Sequence, residues 1–456
     1  MKFKVLLMTL PVLMLLAVSC SQNTESHKAP KNVIVFIGDG MGYNHVDATS
    51  IYLHGETGKL VFEGREWLKV AQATYPAIMH TEPEKVYAAG YNPRAAWTDT
   101  AYLTRDYTDS GAAGTALSTG NKTCRGAIGI GVEGDTLKHM AELAKELGKS
   151  VGVISSVQLS HATPAGFIAH NENRRNYIEI ARQMILRSKL DVLIGCGHPM
   201  FDNDGKPAVE VDYRYVGGAE LWDQLNQNEM PTSFVVDGNE YFVADIDGDG
   251  KPDAWTLVTD SADFAAHAYG RELPKRLLGI PQVRSTLQSS RSGTEVVEPW
   301  KQPNTPKLPS LEQKTLAAVN VLSQNPNGFF LMVEGGAIDW AAHANHPGRM
   351  IEEMYDFERS VAAVVEWVET NSSWDETLVI VTSDHETGFL SGSGSDKQVM
   401  TPVVNQGKGV LPGMLWYSTD HTNSLVPVYA RGKGSEWFNF FADEFDPLRG
   451  PFIQNT

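Results

Sequence analysis

The segment at residues 333–343 (VEGGAIDWAAH) combines two carboxylates and a histidine at spacings that suit a metal ion. Glu334 follows an apolar run, and Asp339 and His343 are four residues apart. Side chains four apart share one face of a helix, and histidine nitrogen and aspartate oxygen are preferred zinc ligands. The segment predicts two ligands to one zinc ion, although the start of an ordinary helix would explain it equally well.

A second candidate lies at residues 379–388 (VIVTSDHETG), where Asp384 and His385 directly follow β-prone residues. Neighbouring side chains diverge at the end of a strand, so this pair can bind one ion only from a turn, or else serve two neighbouring ions. A polar loop is the alternative. His421, before another apolar run, is a weaker candidate because a single histidine near a strand is often structural.

Two further residues could serve the same chemistry. Asp39 lies among glycines at the end of an apolar run (FIGDGMG), where the backbone can pass close to an ion or a phosphate, although a tight turn is an equal alternative. Ser110, in TDSGAAGTALSTG, precedes small residues that favour a tightly packed helix. A helix N-terminus favours phosphate and a developing alkoxide, but Asp109 or Ser110 could simply cap the helix.

Residues 161–174 add a hydroxyl and a guanidinium. The hydroxyl belongs to Thr163 in HATP, and Arg174 in NENRRNY could clamp a phosphate through two hydrogen bonds. An arginine in such a segment is otherwise a solvated side chain. Each of these candidates is weak alone, and their joint occurrence carries the metal and phosphate hypothesis.

The elements that must position these residues alternate between strands and helices. Alternation of this kind predicts an α/β fold of three layers, α/β/α, with a large and mainly parallel central sheet, in which ligands bind beyond the carboxyl ends of the strands. The stretch at about 200–310, rich in Asp, Gly, Pro and Asn, is interpreted as an inserted accessory region of a catalytic domain at 32–456. The predicted strands lie at 31–37, 150–155, 191–194, 328–333, 377–382 and 424–430, and the predicted helices at 136–147, 177–186, 311–322 and 348–369.

The first residues of the chain predict export from a bacterial cell. Two lysines precede an apolar run at residues 5–18, which is typical of a signal peptide at 1–19 and short for a membrane span. Small residues before Cys20 resemble a lipoprotein box, so we expect a lipid on Cys20, a tether at 20–31, and a periplasmic or membrane-anchored protein. In that compartment Cys124 and Cys196 could pair, although two unpaired cysteines are as compatible with the sequence.

The overall charge limits the partners. The 456-residue chain has a formal net charge of −17, which disfavours nucleic acid and anionic membranes as partners. An anionic substrate would therefore need a locally positive site made by metal ions or arginine.

Six ordered motifs together resemble the alkaline phosphatase family. They are GDGMG, TDSGAAGTALSTG, HATPAGFIAH, VEGGAIDWAAH, VTSDHETG and TDHTNS, between Asp39 and His421. The resemblance implies a hydrolase of phosphate monoesters that works through a covalent phosphoserine, often as a homodimer. By motif, it implies Ser110 as nucleophile and Arg174 as phosphate ligand, one zinc at Asp339, His343 and His421, a second zinc at Asp39, Asp384 and His385, and a magnesium at Asp39, Thr163 and Glu334.

The sequence departs from the enterobacterial pattern of that family at two positions. His161 stands in place of an aspartate and Trp340 in place of a lysine. We therefore expect His161 to take part in the third site, which could then bind zinc or bind magnesium more weakly.

A separate acidic motif lies at residues 245–253 (DIDGDGKPD). Asp245, Asp247, Asp249 and Asp253 have the alternation of a calcium loop, so the sequence predicts a structural calcium ion, with an ordinary acidic turn as the alternative.

Three alternative functions share some of these sequence features, and each meets an objection. A sulfatase of the same superfamily would need a C-x-P-x-R segment, which the sequence lacks. A phosphodiesterase shares the metal ligands, but Arg174, Thr163 and Glu334 favour a monoester dianion. A calcium-stabilised surface binding protein would show repeated calcium loops, and it leaves the histidines unexplained.

Overall fold

The fold is built on one sheet of eleven strands. A computed structural model of the protein describes residues 29–81, 84–88, 90–227, 229–393 and 400–456. The predicted signal peptide, Cys20 and most of the predicted tether lie outside these residues. No helix in the described ranges is both long enough and apolar enough to cross a membrane.

The strands are β1 (Asn32–Gly38), β2 (Leu68–Ala73), β3 (Ala77–Thr81), β4 (Glu84–Ala88), β5 (Ser150–Gln158), β6 (Val192–Cys196), β7 (Ser233–Val236), β8 (Asn239–Phe242), β9 (Thr256–Val258), β10 (Leu277–Gly279), β11 (Phe329–Gly335), β12 (Thr377–Thr382), β13 (Glu386–Thr387), β14 (Leu390–Gly392), β15 (Met414–Trp416), β16 (His421–Thr422), β17 (Val426–Gly432), β18 (Glu444–Asp446) and β19 (Gly450–Gln454).

The α-helices are α1 (Tyr43–His54), α2 (Pro93–Ala96), α3 (Thr100–Leu103), α4 (Ser110–Thr119), α5 (Met140–Glu146), α6 (Ala162–Ala165), α7 (Tyr177–Arg182), α8 (Ala219–Leu225), α9 (Ser261–Ala268), α10 (Leu311–Leu322), α11 (Ala337–His343), α12 (Pro347–Asn371) and α13 (Trp437–Phe441).

The order across the central sheet is β18-β19-β2-β17-β12-β1-β11-β5-β6-β10-β9. All neighbours from β12 to β9 run parallel, whereas β17 is antiparallel to both β12 and β2. Parallel strands are covered on both faces and are therefore largely apolar and fully buried, as β5 and β11 are apart from polar residues that include those near their carboxyl ends. This arrangement confirms the predicted mainly parallel sheet.

Two apolar cores cover the two faces of the sheet. In β1, Ile34 and Phe36 point into one core and Val35 and Ile37 into the other, because successive side chains of a strand alternate between faces. Helices α1, α10, α11 and α12 cover the first core, and α5, α7 and α8 cover the second. The three-layer α/β/α prediction is thereby confirmed.

Local sequence signals explain which predicted boundaries agree with the structure. Helix α10 begins where predicted because Ser310 and Gln313 form a reciprocal capping box. The helix predicted at 136–147 begins only at Met140, because Thr136 pairs with Ile130 in an isolated bridge and Leu137 donates its N–H to the carbonyl of Gly129.

The region at about 200–310 includes a β7–β8 hairpin and helices α8 and α9, and its strands β9 and β10 extend the edge of the central sheet. Its interpretation as an inserted accessory region stays a prediction. Cys124 and Cys196 are both free thiols in the structure.

Candidate metal centre

The candidate residues converge because four adjacent strands of the sheet end at the same edge. In the order β12-β1-β11-β5, these strands are parallel, so their carboxyl ends lie side by side. Asp39 follows β1, Glu334 lies near the end of β11, Asp384 follows β12, and Thr163 lies just beyond β5 in α6. The edge therefore collects buried polar side chains from four separate parts of the chain.

Asp39, Asp384 and His385 form the first group of ligand atoms, all within 4.8 Å of one another. The Nε2 atom of His385 lies 3.4 Å from Oδ1 of Asp39 and 3.3 Å from Oδ2 of Asp384. The backbone N–H of Gly40 donates to the other oxygen of Asp384 at 3.2 Å. The two oxygens that face His385, Oδ1 of Asp39 and Oδ2 of Asp384, are buried and have no hydrogen-bond partner among the described residues.

Asp339, His343 and His421 form the second group. Helix α11 places Asp339 and His343 on one face, with 3.3 Å between Oδ2 and Nε2, and Nε2 of His421 lies 3.6 Å from Oδ1 of Asp339. The outer Nδ1 atoms of His343 and His421 donate to the carbonyls of Thr419 at 2.6 Å and Thr108 at 2.8 Å. In the neutral form of each histidine, such contacts place the proton on Nδ1 and leave the lone pair of Nε2 for a cation.

The two groups are immediate neighbours. The rings of His385 and His421 stack with centroids 3.6 Å apart. Thr387 joins the groups, because its hydroxyl contacts Oδ1 of Asp339 at 2.5 Å and Nδ1 of His385 at 3.2 Å. Two ions bound here would lie side by side.

The residues of the predicted third site lie on the other side of Asp39. Thr163 donates to Oδ2 of Asp39 at 3.4 Å, and Ser155 donates to Oε2 of Glu334. Oε1 of Glu334 is buried and has no partner in the described part of the chain. Oε1 of Glu334 is therefore free to face a cation.

His161 is near this site, yet it belongs to none of the metal-ligand groups found among the described residues. Its buried Nδ1 atom lacks a hydrogen-bond partner there. Its ring packs edge-on to Trp340, with centroids 5.4 Å apart, and parallel to Tyr177 at 6.0 Å.

Ser110 begins helix α4, and its hydroxyl oxygen lies 3.3 Å from Nε2 of His385. Asp109 is the N-cap, because its carboxylate accepts the N–H of Ala112 at 3.1 Å. The serine hydroxyl is therefore not needed to cap the helix. It faces the first group of ligand atoms, at the end of the helix that carries partial positive charge. Close packing of α4 on α6 sets this position, since a Cβ at Gly166 would lie only 3.0 Å from the backbone of Gly114.

Arg174 is directed to the same helix end by Asp109. Its Nη1 donates to Oδ2 of Asp109 at 2.8 Å, while the other oxygen of Asp109 also accepts the N–H of Gly126 at 3.0 Å. A cation is thus held by the residue that directly precedes Ser110.

The pKa shifts show how strongly the carboxylates repel one another when no cation lies between them. Burial, together with the charge of Asp384, raises the pKa of Asp39 well above its usual range. Burial and the charge of Asp339 raise the pKa of Asp384 to about 8, and burial raises that of Glu334 to about 7. Carboxylates arranged in this way, with unpartnered oxygens, fit bound cations.

Asp339 behaves differently because histidines surround it. Burial would raise its pKa, but the hydrogen bond and charge of His343, with the charge of His421, hold the pKa of Asp339 well below its usual range. Burial would lower the pKa of His343, but the contact with Asp339 raises it to about 9. A proton on His343 therefore partly replaces a metal cation in the second group.

Two residues with evident positioning roles, Ser155 and Thr387, were missed from the sequence. They gave no local signal, since their carboxylate partners are 179 and 48 residues away along the chain. Asp109 was expected only as a possible helix cap, and its pairing with Arg174 was not foreseen.

The acidic loop at 245–253 lies outside this centre. Asp245, Asp247 and Asp253 bring ligand atoms within 4.8 Å of one another, whereas Asp249 is not part of that group and accepts the N–H of Lys251 at 2.8 Å. The ammonium group of Lys275 contacts both Asp247 and Asp253.

Comparison with known proteins identifies relatives over most of the chain. The family model described as "Alkaline phosphatase" matches residues 30–414. Alkaline phosphatase 4 of Bacillus subtilis is 29% identical over 93% of this chain and 90% of the relative. The alkaline phosphatase of Escherichia coli is 26% identical over 90% of this chain and 83% of the relative.

Solved structures share the fold. The alkaline phosphatase of the Antarctic bacterium TAB5 superposes with a TM-score of 0.60 at 23% identity, covering 94% of this chain and 96% of that one. That of Thermus thermophilus gives 0.59 at 21% identity, covering 94% and 89%. The extent of the family match, together with the common fold, shows that this chain is a phosphatase belonging to the alkaline phosphatase family.

Proposed function

We propose that the protein hydrolyses phosphate monoesters through a covalent phosphoserine at Ser110. The observation that carries this proposal is the 3.3 Å between the Ser110 hydroxyl and Nε2 of His385, within a group of buried and unpartnered carboxylate oxygens. The alcohol of the substrate leaves as the Ser110 oxygen bonds to phosphorus, and water then cleaves the phosphoserine to release inorganic phosphate.

Ser110 is placed to act as a nucleophile by the start of α4. The hydroxyl is buried, its own helix is capped by Asp109, and the partial positive charge of the helix start favours an alkoxide. Burial also keeps bulk water away from the attacking oxygen, which strengthens every charge interaction there.

Arg174 is proposed to bind the non-bridging phosphate oxygens. Asp109 holds one edge of the guanidinium, which leaves its other N–H groups for the substrate. A monoester dianion offers more charge to this arginine than a diester does, and we therefore favour monoesters over diesters.

Three ligand sets are proposed for the ions, and two of them are supported by ligand atoms that lie within 4.8 Å of one another. One zinc would be held by Asp339, His343 and His421, a second by Asp39, Asp384 and His385, and a magnesium by Asp39, Thr163 and Glu334. Bound cations would supply positive charge for the attacking, leaving and non-bridging oxygens of an in-line displacement.

The identity of the third ion depends on His161. A mutant form of the TAB5 enzyme is described with Mg bound in its M3 site. In this chain Glu334 and Thr163 offer oxygen atoms that suit magnesium, while the unpartnered nitrogen of His161 would favour zinc.

The decisive test is hydrolysis of an aryl phosphate monoester by the wild type, Ser110→Ala and Ser118→Ala, with and without a zinc chelator. We expect Ser110→Ala and chelation each to lower kcat by at least about a thousandfold. Ser118→Ala, two turns along α4, is the matched control and should retain activity. Wild-type turnover that survives complete metal removal, or equal rates on the corresponding diester, would refute the proposal.

We also propose that the protein is exported and anchored by a lipid on Cys20. The support is the segment at residues 1–20, with its lysines, apolar run and small residues before the cysteine. Mass spectrometry of the mature N-terminus, compared with Cys20→Ser, tests this: an unmodified Cys20 in mature protein would exclude the anchor.

Structural calcium at residues 245–253 stays a prediction. The convergence of Asp245, Asp247 and Asp253 supports it, and the contacts of Lys275 compete with it. If calcium binds, added Ca²⁺ should raise the melting temperature of the wild type, and Lys275→Met should strengthen that effect. A melting temperature independent of Ca²⁺ in both proteins would contradict the prediction.

A further inference from the structure

A third convergence of ligand atoms lies outside the metal centre, at the start of helix α5. One ligand atom from each of His139, Glu142 and His170 lies within 4.8 Å of the others. His139 is the N-cap of α5, Glu142 is in the first turn, and His170 lies in the loop beyond α6. The rings of the two histidines have centroids 4.5 Å apart.

His170 presents a nitrogen atom in the form that binds metals. Nε2 of His170 contacts the carbonyl of Leu137 at 2.8 Å, which assigns the proton to Nε2 and leaves the lone pair on Nδ1. His343 and His421 in the metal centre are oriented by backbone carbonyls in the same way. His139 faces Glu142 through Nδ1, which would release its proton on binding an ion, whereas its buried Nε2 lies beside Gly129 and has no hydrogen-bond partner in the described part of the chain.

Glu142 completes the group with a carboxylate. Its Oε2 atom accepts the backbone N–H of His139 at 2.9 Å and contacts Nδ1 of the same residue at 3.2 Å. Burial would raise the pKa of Glu142, but the hydrogen bond from His139 lowers it to about 2, whereas burial lowers the pKa of His139. A capping box accounts for the backbone contact, but it does not explain why the ring of His170 lies against that of His139.

Access for an ion is provided by a cavity of about 1320 Å³, which Glu142 and His170 help to line. Three protein ligands with a fourth position open to solvent is a common arrangement for zinc. We propose that His139, Glu142 and His170 form an additional binding site for a divalent transition metal, with zinc as the expected ion. The bound ion would link the start of α5 to the loop that follows α6, because each segment supplies ligands.

The test compares zinc content after equilibration of each purified protein with buffered zinc chloride and removal of free metal. The variants are His170→Gln and Glu142→Gln, and Glu142→Gln keeps the capping box because glutamine also accepts the N–H of His139. Glu146→Gln, on the same helix but outside the group, is the matched control. We expect the two site variants to bind one zinc fewer per chain than the wild type and the control.

Two further measurements separate this site from the metal centre and from misfolding. kcat/KM with an aryl phosphate should change less than about twofold in both variants, because neither residue belongs to the centre. Added zinc should also raise the melting temperature of metal-stripped wild type more than that of either variant. Equal zinc content in the wild type and both site variants, or an equal loss in Glu146→Gln, would overturn the proposal.

Discussion

The guanidinium Nη1 of Arg174 lies 2.8 Å from Oδ2 of Asp109, the residue that directly precedes Ser110 and caps its helix. One carboxylate thus fixes both the helix that carries the hydroxyl and the cation beside it. The start of α4 and the position of Arg174 therefore both depend on the side chain of Asp109. A mutation that keeps the cap but removes the charge separates these two roles.

Replacement of Asp109 by asparagine should weaken substrate binding without unfolding α4. Asparagine caps helices as well as aspartate does, but it loses the charged contact to Arg174, which is worth about 1.5–3 kcal/mol. We expect KM for an aryl phosphate to rise by about tenfold or more, and the melting temperature to fall by only a few degrees because the contact is also lost from the folded protein. A fall in kcat at unchanged KM would contradict this role of Asp109.

Replacement of Thr387 by valine should lower metal affinity. The threonine hydroxyl contacts both Asp339 and His385, one ligand of each group, and loss of such an outer contact typically costs about 10–100-fold in metal affinity. Competition with a chromogenic zinc chelator measures this change. Thr382→Val is the control, because the hydroxyl of Thr382 donates to the carbonyl of Pro427 instead. If both variants bind zinc equally well, Thr387 does not position the ligands.

Replacement of His161 by aspartate should strengthen magnesium binding at the third site. A carboxylate oxygen suits magnesium better than a neutral imidazole nitrogen does. We expect the Mg²⁺ concentration for half-maximal activation to fall by about tenfold, equivalent to about 1.4 kcal/mol. His161→Asn has a similar shape without the charge and should show a much smaller change. An unchanged Mg²⁺ dependence in the aspartate variant would place His161 outside the third site.

Metal removal should make stability fall with rising pH. In the metal-free protein the pKa of Asp384 is raised to about 8 and that of His343 to about 9, so between pH 7 and 9 the folded state binds more protons than the unfolded chain. Stability from groups with raised pKa values is present below their unfolded pKa and is lost as pH rises through the folded pKa.

We therefore expect the free energy of unfolding of chelator-treated protein to fall by about 1–3 kcal/mol from pH 7 to 9. Urea denaturation at the two pH values measures it. The zinc-loaded protein should lack this decline, because cations replace the protons between the carboxylates. If the free energy of unfolding of the metal-free protein is the same at both pH values, these carboxylates are not close together in solution.

Local patterns in the sequence were sufficient for the layers of the fold and for the types of ligand. Strands β1, β11 and β12 contain continuous apolar runs, and a run of that kind is stable only when it is covered on both faces. The spacing of Asp339 and His343 gave their common helix face directly, because the period of a helix is a local property.

Only the tertiary structure decided which of these residues meet. The contact between Asp109 and Arg174 spans 65 residues, and that between Ser110 and His385 spans 275. The order of strands in the sheet determines such contacts, and it is set by the packing of the whole chain, so no local period encodes it. The same reason explains why the group of His139, Glu142 and His170 became visible only in the folded protein: the loop beyond α6 brings His170 to the start of α5, and neither segment has a pattern that specifies the other.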